Sequence, residues 1–275
     1  MENTAQDCGT AAQTCETATP GCQSVTSPQG PTGEGLRPTR LELVCAWAVH
    51  LLTASGAVCG LFALTAATRG DHVASLWWMA VTVFIDGVDG ALARLFRVKS
   101  VIPSLDGALL DNVVDYFTWS VVPAFFLCMS PLAGNVLCYP VAAAILIASG
   151  YQFARSDAKT EDHSFSGFPS YWNIVVFYLF MLKYPVWFNV AVLLLCAVAS
   201  FAPVRCLYPS RTPHWRPLNV ALGALWALCL AVALIRYPNG HMPLINLSWI
   251  YVVYYVAFSA WLTLRAGRTS GEGAA

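Results

Sequence analysis

The sequence predicts an all-α protein that crosses a membrane about eight times and carries a polar site at the cytoplasmic side. Hydrophobic residues make up 57% of the 275 residues and charged residues only 11%, whereas soluble domains are about 25% charged. Positive and negative side chains balance at fifteen each, so the formal net charge is zero. Because this balance provides no basic surface, we expect no nucleic-acid partner.

Apolar segments recur along the chain, and a membrane span requires about 20 mainly apolar residues. Around them we expect a disordered cytoplasmic tail over residues 1–38, a transmembrane domain over 39–266, and a short disordered tail over 267–275. The fifth and sixth segments are short and are separated by the Tyr184-Pro185 break. The predicted spans are 43–67, 75–96, 105–129, 134–154, 170–184, 186–203, 217–236 and 244–264.

Positive charges indicate how these spans are oriented, because cytoplasmic loops collect Lys and Arg. One set of loops and ends holds twelve of the fifteen positive residues, and the other set holds Arg69, Lys183 and Arg236. An even number of spans puts both termini on the same side. We therefore expect both termini, and the polar site, on the cytoplasmic side.

Of the five acidic residues at positions 86–115, four sit inside hydrophobic segments: Asp86, Asp89, Asp111 and Asp115. An ionised carboxylate at membrane depth costs about 2.5 kcal/mol or more, so such residues indicate a functional site. The first two are three residues apart and the last two are four apart, so each pair shares one face of its helix. Both pairs are predicted at a similar depth, about 10 Å inside the cytoplasmic boundary at about 1.5 Å per residue.

Carboxylates packed together repel one another unless a strong positive charge is present. A ligand set made only of oxygen atoms favours Mg²⁺ or Mn²⁺, and phosphates usually complete the coordination of such ions. The sequence therefore predicts a bound diphosphate. Gly90 and Gly107 leave room for this ligand, and Arg94, on the helix face of Asp86, is expected to clamp a phosphate.

Other polar residues near the acids have simpler interpretations. Asp106 is predicted to start a helix by accepting hydrogen bonds from free N–H groups. His50 lies at the depth of the acids, and we expect it to be a helix-packing group outside the metal shell. Lys159, in the loop after the fourth predicted helix, is a candidate for contact with phosphate.

The acids belong to a longer pattern that resembles the signature of the CDP-alcohol phosphotransferases, D-x2-D-G-x2-A-R-x(n)-G-x3-D-x3-D. It consists of DGVDGALAR at 86–94, followed by Gly107, Asp111 and Asp115, and all eight fixed positions agree. The spacer of residues 95–106 is longer than is usual in that family. This longer spacer and the stretch 151–173 are together similar to bacterial phosphatidylcholine synthases. The resemblance covers roughly residues 43–264.

This resemblance implies transfer of the phosphatidyl group from CDP-diacylglycerol to choline, with release of CMP, in the bacterial inner membrane. It implies a homodimer and two Mn²⁺ or Mg²⁺ ions in the site. Asp115 would be the general base on the choline hydroxyl and a ligand of the second ion. The first-helix pattern N-x-x-T-x-x-R of the family is retained here only at Thr53. The implied metal ligands are Asp86, Asp89, Asp111 and Asp115, and the implied CDP-diacylglycerol contacts are Thr53, Gly90, Ala93, Arg94, Gly107 and Lys159.

A choline acceptor requires aromatic side chains, because its quaternary ammonium group cannot donate hydrogen bonds and is bound by aromatic ring faces. Aromatic residues are predicted at the cytoplasmic ends of helices three, four and five, although a membrane-interface belt would supply the same residue types. The candidates are Tyr116, Tyr151, Tyr171 and Trp172.

Three alternatives remain open from the sequence. The acceptor alcohol could be serine, glycerol phosphate or inositol phosphate, although an anionic acceptor calls for more Arg or Lys near the site. CDP-choline could react with diacylglycerol, which would leave the motif unchanged. Intramembrane carboxylates also mark ion paths, so a divalent-cation transporter is the alternative from another functional class.

Overall fold

The computed structural model describes residues 38–155, 165–202, 204–207 and 215–272. Within these ranges the protein is almost entirely helical, as predicted, and the α-helices are numbered here in chain order. They are α1 (Arg40–Thr68), α2 (His72–Leu95), α3 (Val98–Val101), α4 (Gly107–Tyr116), α5 (Val122–Met129), α6 (Gly134–Ala154), α7 (Trp172–Leu182), α8 (Val186–Ala199), α9 (Arg216–Ile235) and α10 (Met242–Glu272).

Six helical segments of the described chain are long and apolar enough to cross a membrane. The third of them, Gly107–Met129, joins α4 to α5 without a break in the helix. The segments predicted as fifth and sixth spans correspond to α7 and α8, which have 11 and 14 residues and are shorter than a usual span. The six segments that are long enough to span a membrane are α1, α2, Gly107–Met129, α6, α9 and Met242–Arg265.

Polar side chains define where the helices near the acids begin. Thr39 and Glu42 form a capping box at the start of α1, and the Asp71 side chain accepts a hydrogen bond from the Ala74 N–H at the start of α2. Asp106 accepts hydrogen bonds from the N–H groups of Ala108 and Leu109, at 3.0 and 3.1 Å. The prediction that Asp106 starts a helix is therefore confirmed.

A short π-helix, Phe117–Val121, connects α4 to α5. Its characteristic bond runs from the Val122 N–H to the Phe117 carbonyl. Pro123 follows directly and has no N–H group with which to continue the regular α-helical pattern. The sequence predicted one uninterrupted helix here. The wider turn changes the direction in which Trp119 projects, and π-helical turns are frequent at functional sites.

Glycines let α1 approach α4 and the π-helix closely. A Cβ added to Gly56 would lie 3.0 Å from Val114 Cγ1, and one added to Gly60 would lie 2.5 Å from Phe117 Cε1. Since real Cβ atoms do not tolerate the second distance, a glycine is required at position 60 for this packing. The contact holds the first helix against the segment that carries two of the acids.

The packed core lies around α5, α6 and α7, where Phe126, Ile145 and Trp172 are fully buried. Outside the helices, two-residue strands pair antiparallel, β1 (Phe165–Ser166) with β2 (Arg205–Cys206). The Gln152 side-chain amide donates to the Ser166 carbonyl at 2.7 Å, which fixes this strand pair against the end of α6.

The two-residue strands leave the predicted all-α class unchanged, and they come from loops whose meeting depends on tertiary structure. Burial raises the pKa of the Cys206 thiol to about 11, so this cysteine stays protonated at neutral pH.

At the C-terminal end of the chain, α10 continues to Glu272 and enters the predicted tail of residues 267–275. The predicted tail of residues 1–38 lies, except for Pro38, outside the described residues.

Candidate active site

The structure brings three of the four intramembrane acids together. Asp86 and Asp89 lie near the C-terminal end of α2, and Asp111 lies on α4. Each offers a carboxylate oxygen, and these oxygens lie within 4.8 Å of one another. The two helix faces on which the sequence placed the acids therefore point at a shared position.

Asp115 lies beside this three-carboxylate group but is not a member of it. Its carboxyl group interacts with those of Asp86, Asp89 and Asp111. Trp119 of the π-helix is a further polar neighbour of Asp86. The fourth acid is thus in direct contact with the group, one turn of helix beyond Asp111.

Thr53, on α1, contacts the three-carboxylate group from another helix. Its hydroxyl donates to Asp89 Oδ2 at 2.8 Å, and both side chains are buried. A hydroxyl that donates to a carboxylate fixes the orientation of that carboxylate and offsets part of its charge. In the structure Thr53 therefore acts on the acids directly, whereas the sequence resemblance implied a contact with the nucleotide.

These residues fit a hard divalent cation. Three carboxylates this close, one of them only 5% exposed, require a compensating positive charge. The group consists of oxygen ligands alone, which is the donor set that Mg²⁺ and Mn²⁺ prefer. The group is therefore a candidate metal centre.

A cavity of about 440 Å³ opens next to the acids, which is within the usual size range of ligand pockets. Its wall combines the carboxylates of Asp89, Asp106 and Asp111 with two cationic side chains, Arg94 and Lys99. Five of the six predicted CDP-diacylglycerol residues line it, namely Thr53, Gly90, Ala93, Arg94 and Gly107. The sixth, Lys159, lies outside the described residues.

His50 was expected to be a packing residue, and the structure buries it with its ring at the wall of the cavity. It is 6% exposed overall, yet it lines the cavity, and its Nε2 atom has no hydrogen-bond partner. A Cβ added to Gly107 would lie 2.9 Å from His50 Cε1. Gly107 therefore makes room for the imidazole as well as for a ligand. The sequence signal for this position beside the acids was the depth of His50, which was predicted to equal that of the acids.

The four predicted choline residues do not form one cage. Trp172 is fully buried and donates to Ser149 Oγ at 2.7 Å. The Tyr116 hydroxyl donates to the Leu146 carbonyl, and its ring packs edge-on against Phe153.

The other two candidates pack against different aromatic partners. Tyr151 is 44% exposed, and its ring packs on Phe201 with the centroids 4.8 Å apart. Tyr171 packs against Trp119, with the ring centroids 5.6 Å apart. Trp119, which sequence reasoning missed, therefore connects Tyr171 to the acids.

Comparisons with known proteins agree with this geometry. The chain is 44% identical over 230 residues to a phosphatidylcholine synthase of Legionella pneumophila, covering 81% of this chain and 90% of that protein. It is 33% identical over 231 residues to a phosphatidylcholine synthase of Pseudomonas aeruginosa, covering 84% and 97%. A family model described as CDP-alcohol phosphatidyltransferase matches residues 47–204, which include all four acids. The chain belongs to the CDP-alcohol phosphatidyltransferase family.

Proposed function

We propose that this protein transfers the phosphatidyl group from CDP-diacylglycerol to choline and releases CMP. The observation that carries the proposal is the extended similarity to proteins named phosphatidylcholine synthase, which spans 90% of the Legionella protein. The carboxylate group inside a bundle of apolar helices supports it. Such a site serves a substrate whose nucleotide is polar and whose acyl chains are soluble only in lipid.

The cavity beside the acids is the proposed site for the CDP portion of the lipid. Arg94 and Lys99 give it positive charge to attract a diphosphate. Gly90 and Ala93 keep the wall of α2 small where the nucleotide would pass. Thr53, Gly107 and Lys159 complete the proposed set of contacts.

Asp86, Asp89 and Asp111 are the proposed ligands of a divalent cation, Mn²⁺ or Mg²⁺, with Asp115 contributing to a second ion. Such ions would supply charge neutralisation for the diphosphate. Asp115 is proposed to accept the proton of the choline hydroxyl as its oxygen attacks the phosphatidyl phosphorus. The bond to CMP then breaks, and CMP leaves with the electron pair. The closeness of Asp115 to Asp86 supports this role, because it puts the carboxyl group of Asp115 beside the proposed metal ligands.

The acceptor site is proposed near the cytoplasmic ends of the helices that carry Tyr116, Tyr151, Tyr171 and Trp172. Among these, Tyr171 has the clearest structural support, since its ring contacts Trp119 and Trp119 contacts Asp86. Trp172 has the weakest support, because its indole is enclosed in the core.

For the membrane arrangement, we propose eight crossings that include α7 and α8, in a bacterial inner membrane. Both termini and the active site would face the cytoplasm, and the protein would be a homodimer. The distribution of positive residues, twelve against three, supports this orientation.

The proposal is tested with purified protein in detergent micelles that contain CDP-diacylglycerol and Mn²⁺ or Mg²⁺. Radiolabelled choline, serine and glycerol phosphate are supplied in separate reactions. We expect labelled lipid from choline, equimolar release of CMP, and loss of both products when EDTA removes the metal. Label from serine or glycerol phosphate instead would identify another acceptor alcohol. Metal flux into proteoliposomes without CMP release would contradict the proposed transferase.

A further inference from the structure

Three aromatic side chains from three different segments meet beside the acids. Trp119 of the π-helix packs against Tyr171, which precedes α7, with ring centroids 5.6 Å apart at an angle of 48°. Tyr171 in turn packs edge-on against Tyr255 of α10, at 6.3 Å and 62°. These three residues are called the aromatic corner below.

We infer that the aromatic corner binds the trimethylammonium group of choline. The inference rests on the proposed function and names the residues that recognise its acceptor. Two of them, Trp119 and Tyr255, were not found from the sequence.

The position of the corner matches the shape of choline. Trp119 neighbours Asp86, and Asp86 neighbours Asp115, the proposed base. Only two carbon atoms separate the hydroxyl of choline from its quaternary nitrogen. A choline whose hydroxyl reaches Asp115 therefore places its nitrogen next to the aromatic side chains that adjoin the carboxylates.

The chemistry of the corner also suits a quaternary ammonium group. This cation has no N–H group, so it is bound by ring faces rather than by hydrogen-bond acceptors. The Tyr255 hydroxyl already donates to the Leu207 carbonyl at 3.2 Å, and the Trp119 indole neighbours Asp86. The polar atoms of these two rings thus lie next to protein groups, and a quaternary ammonium group would interact with the π systems of the rings.

Burial strengthens such an interaction, because cation–π attraction is larger where water is excluded. Trp119 is only 8% exposed, and the nearby carboxylates provide the opposite charge that a desolvated cation needs.

Residues close in sequence to Trp119 and Tyr171 carry buried polar atoms. Among the described residues, Ser120 Oγ, Ser170 Oγ and both amide atoms of Asn173 are buried and have no hydrogen-bond partner. Ser120 directly follows Trp119, and Ser170 directly precedes Tyr171. Buried polar groups in folded proteins generally bind protein groups or water, so this region has capacity for a small hydrated ligand.

The experiment compares Tyr171→Leu, which removes the aromatic face, with Tyr171→Phe, which keeps it. We expect the leucine variant to raise the KM for choline about tenfold, with the KM for CDP-diacylglycerol changed less than twofold. The phenylalanine variant should remain within about threefold of the unmodified protein for both substrates. Tyr184→Leu is the matched control, since Tyr184 follows the other end of α7 and packs on Phe188.

A second measurement compares choline with a neutral alcohol of the same shape. The neutral alcohol 3,3-dimethyl-1-butanol has the shape of choline without its charge. The unmodified protein should use it with a kcat/KM at least about tenfold lower than choline, and Tyr171→Leu and Tyr255→Leu should reduce this preference. Equal use of the two alcohols by the unmodified protein would overturn the inference, as would unchanged choline KM in both folded leucine variants. Absence of any choline product with the unmodified protein would instead contradict the proposed function.

Discussion

Single side chains from outside the acidic motif decide how the carboxylates are held. Thr53 on α1 donates to Asp89, and Trp119 of the π-helix neighbours Asp86. Each carboxylate of α2 thus has a neutral polar neighbour from another segment. Such outer contacts orient metal ligands, and their loss typically weakens metal binding about 10- to 100-fold.

At the residue scale, Asp115→Asn should lower kcat by at least about 100-fold, because asparagine cannot accept the proton of the alcohol. Binding of CDP-diacylglycerol should change little, since Asp115 lies outside the three-carboxylate group. Rates are measured by release of CMP, and lipid binding by competition with a labelled nucleotide. Asp71→Asn, which alters a helix cap rather than the site, is the control. Near-normal turnover in Asp115→Asn would remove this residue as the base.

Thr53→Val should raise the metal concentration for half-maximal activity by about tenfold, because Asp89 loses its hydroxyl partner. Thr53→Ser should retain most of the metal affinity, since serine keeps the hydroxyl. The measurement is a Mn²⁺ titration of activity after removal of metal by EDTA. Thr65→Val, on the same helix, is the control because the Thr65 hydroxyl bonds only to the Leu61 carbonyl of its own helix. Equal effects of valine at both positions would contradict the role of Thr53.

Between elements, the approach of α1 to α4 and the π-helix determines whether the site can form. α1 contributes Thr53 and His50, while α4 contributes Asp111 and Gly107. Their separation is set by small residues, since Gly60 faces Phe117 and Gly107 faces His50 at distances too short for an added Cβ. Close packing of this kind is usual where helices meet within a membrane.

At the element scale, Gly60→Ala should destabilise the protein by about 1–3 kcal/mol, because the new methyl group would meet the rigid ring of Phe117. Thermal unfolding in detergent, followed by circular dichroism, measures the effect. Gly87→Ala is the matched control, since no atom lies within 4 Å of a Cβ at that position. It should leave the Tm unchanged or raise it. An equal decrease of Tm in both variants would show that the close approach of Gly60 to Phe117 is not the cause of the destabilisation.

For the whole molecule, the number of membrane crossings determines on which side of the membrane each loop and terminus lies. Six segments have the length of a span, and α7 and α8 are shorter. These two helices are joined by a turn of Lys183, Tyr184 and Pro185, and Asn189 stabilises this turn by donating to the Tyr184 carbonyl at 3.2 Å. A helical hairpin held in this way is compatible with two crossings by shorter helices.

At the scale of the whole molecule, eight crossings predict that reporters fused to the N- and C-termini are both active on the cytoplasmic side. A cysteine introduced at Lys183 should react with a membrane-impermeant thiol reagent from the outside of intact cells. A cysteine introduced at Arg97 should react only after the cells are opened. A thiol at Lys183 that is accessible only from the cytoplasmic side would contradict the orientation of α7 and α8.

The sequence by itself determined the helical class, the main helices and the motif that carries the acids. These properties are local, because the length of an apolar run and the spacing of residues on one helix follow from helix geometry. The resemblance drawn from the same motif is confirmed by the family match over residues 47–204.

Only the tertiary structure decided which side chains from distant segments reach the acids. Trp119 contacts Asp86 from a π-helical turn inside the predicted span 105–129, and Thr53 contacts Asp89 across 36 positions of the chain. Trp172, by contrast, faces the core although its neighbour Tyr171 faces Trp119. Neighbouring residues of one helix point about 100° apart, so their partners depend on how each helix is rotated against the others, and that rotation is set by packing.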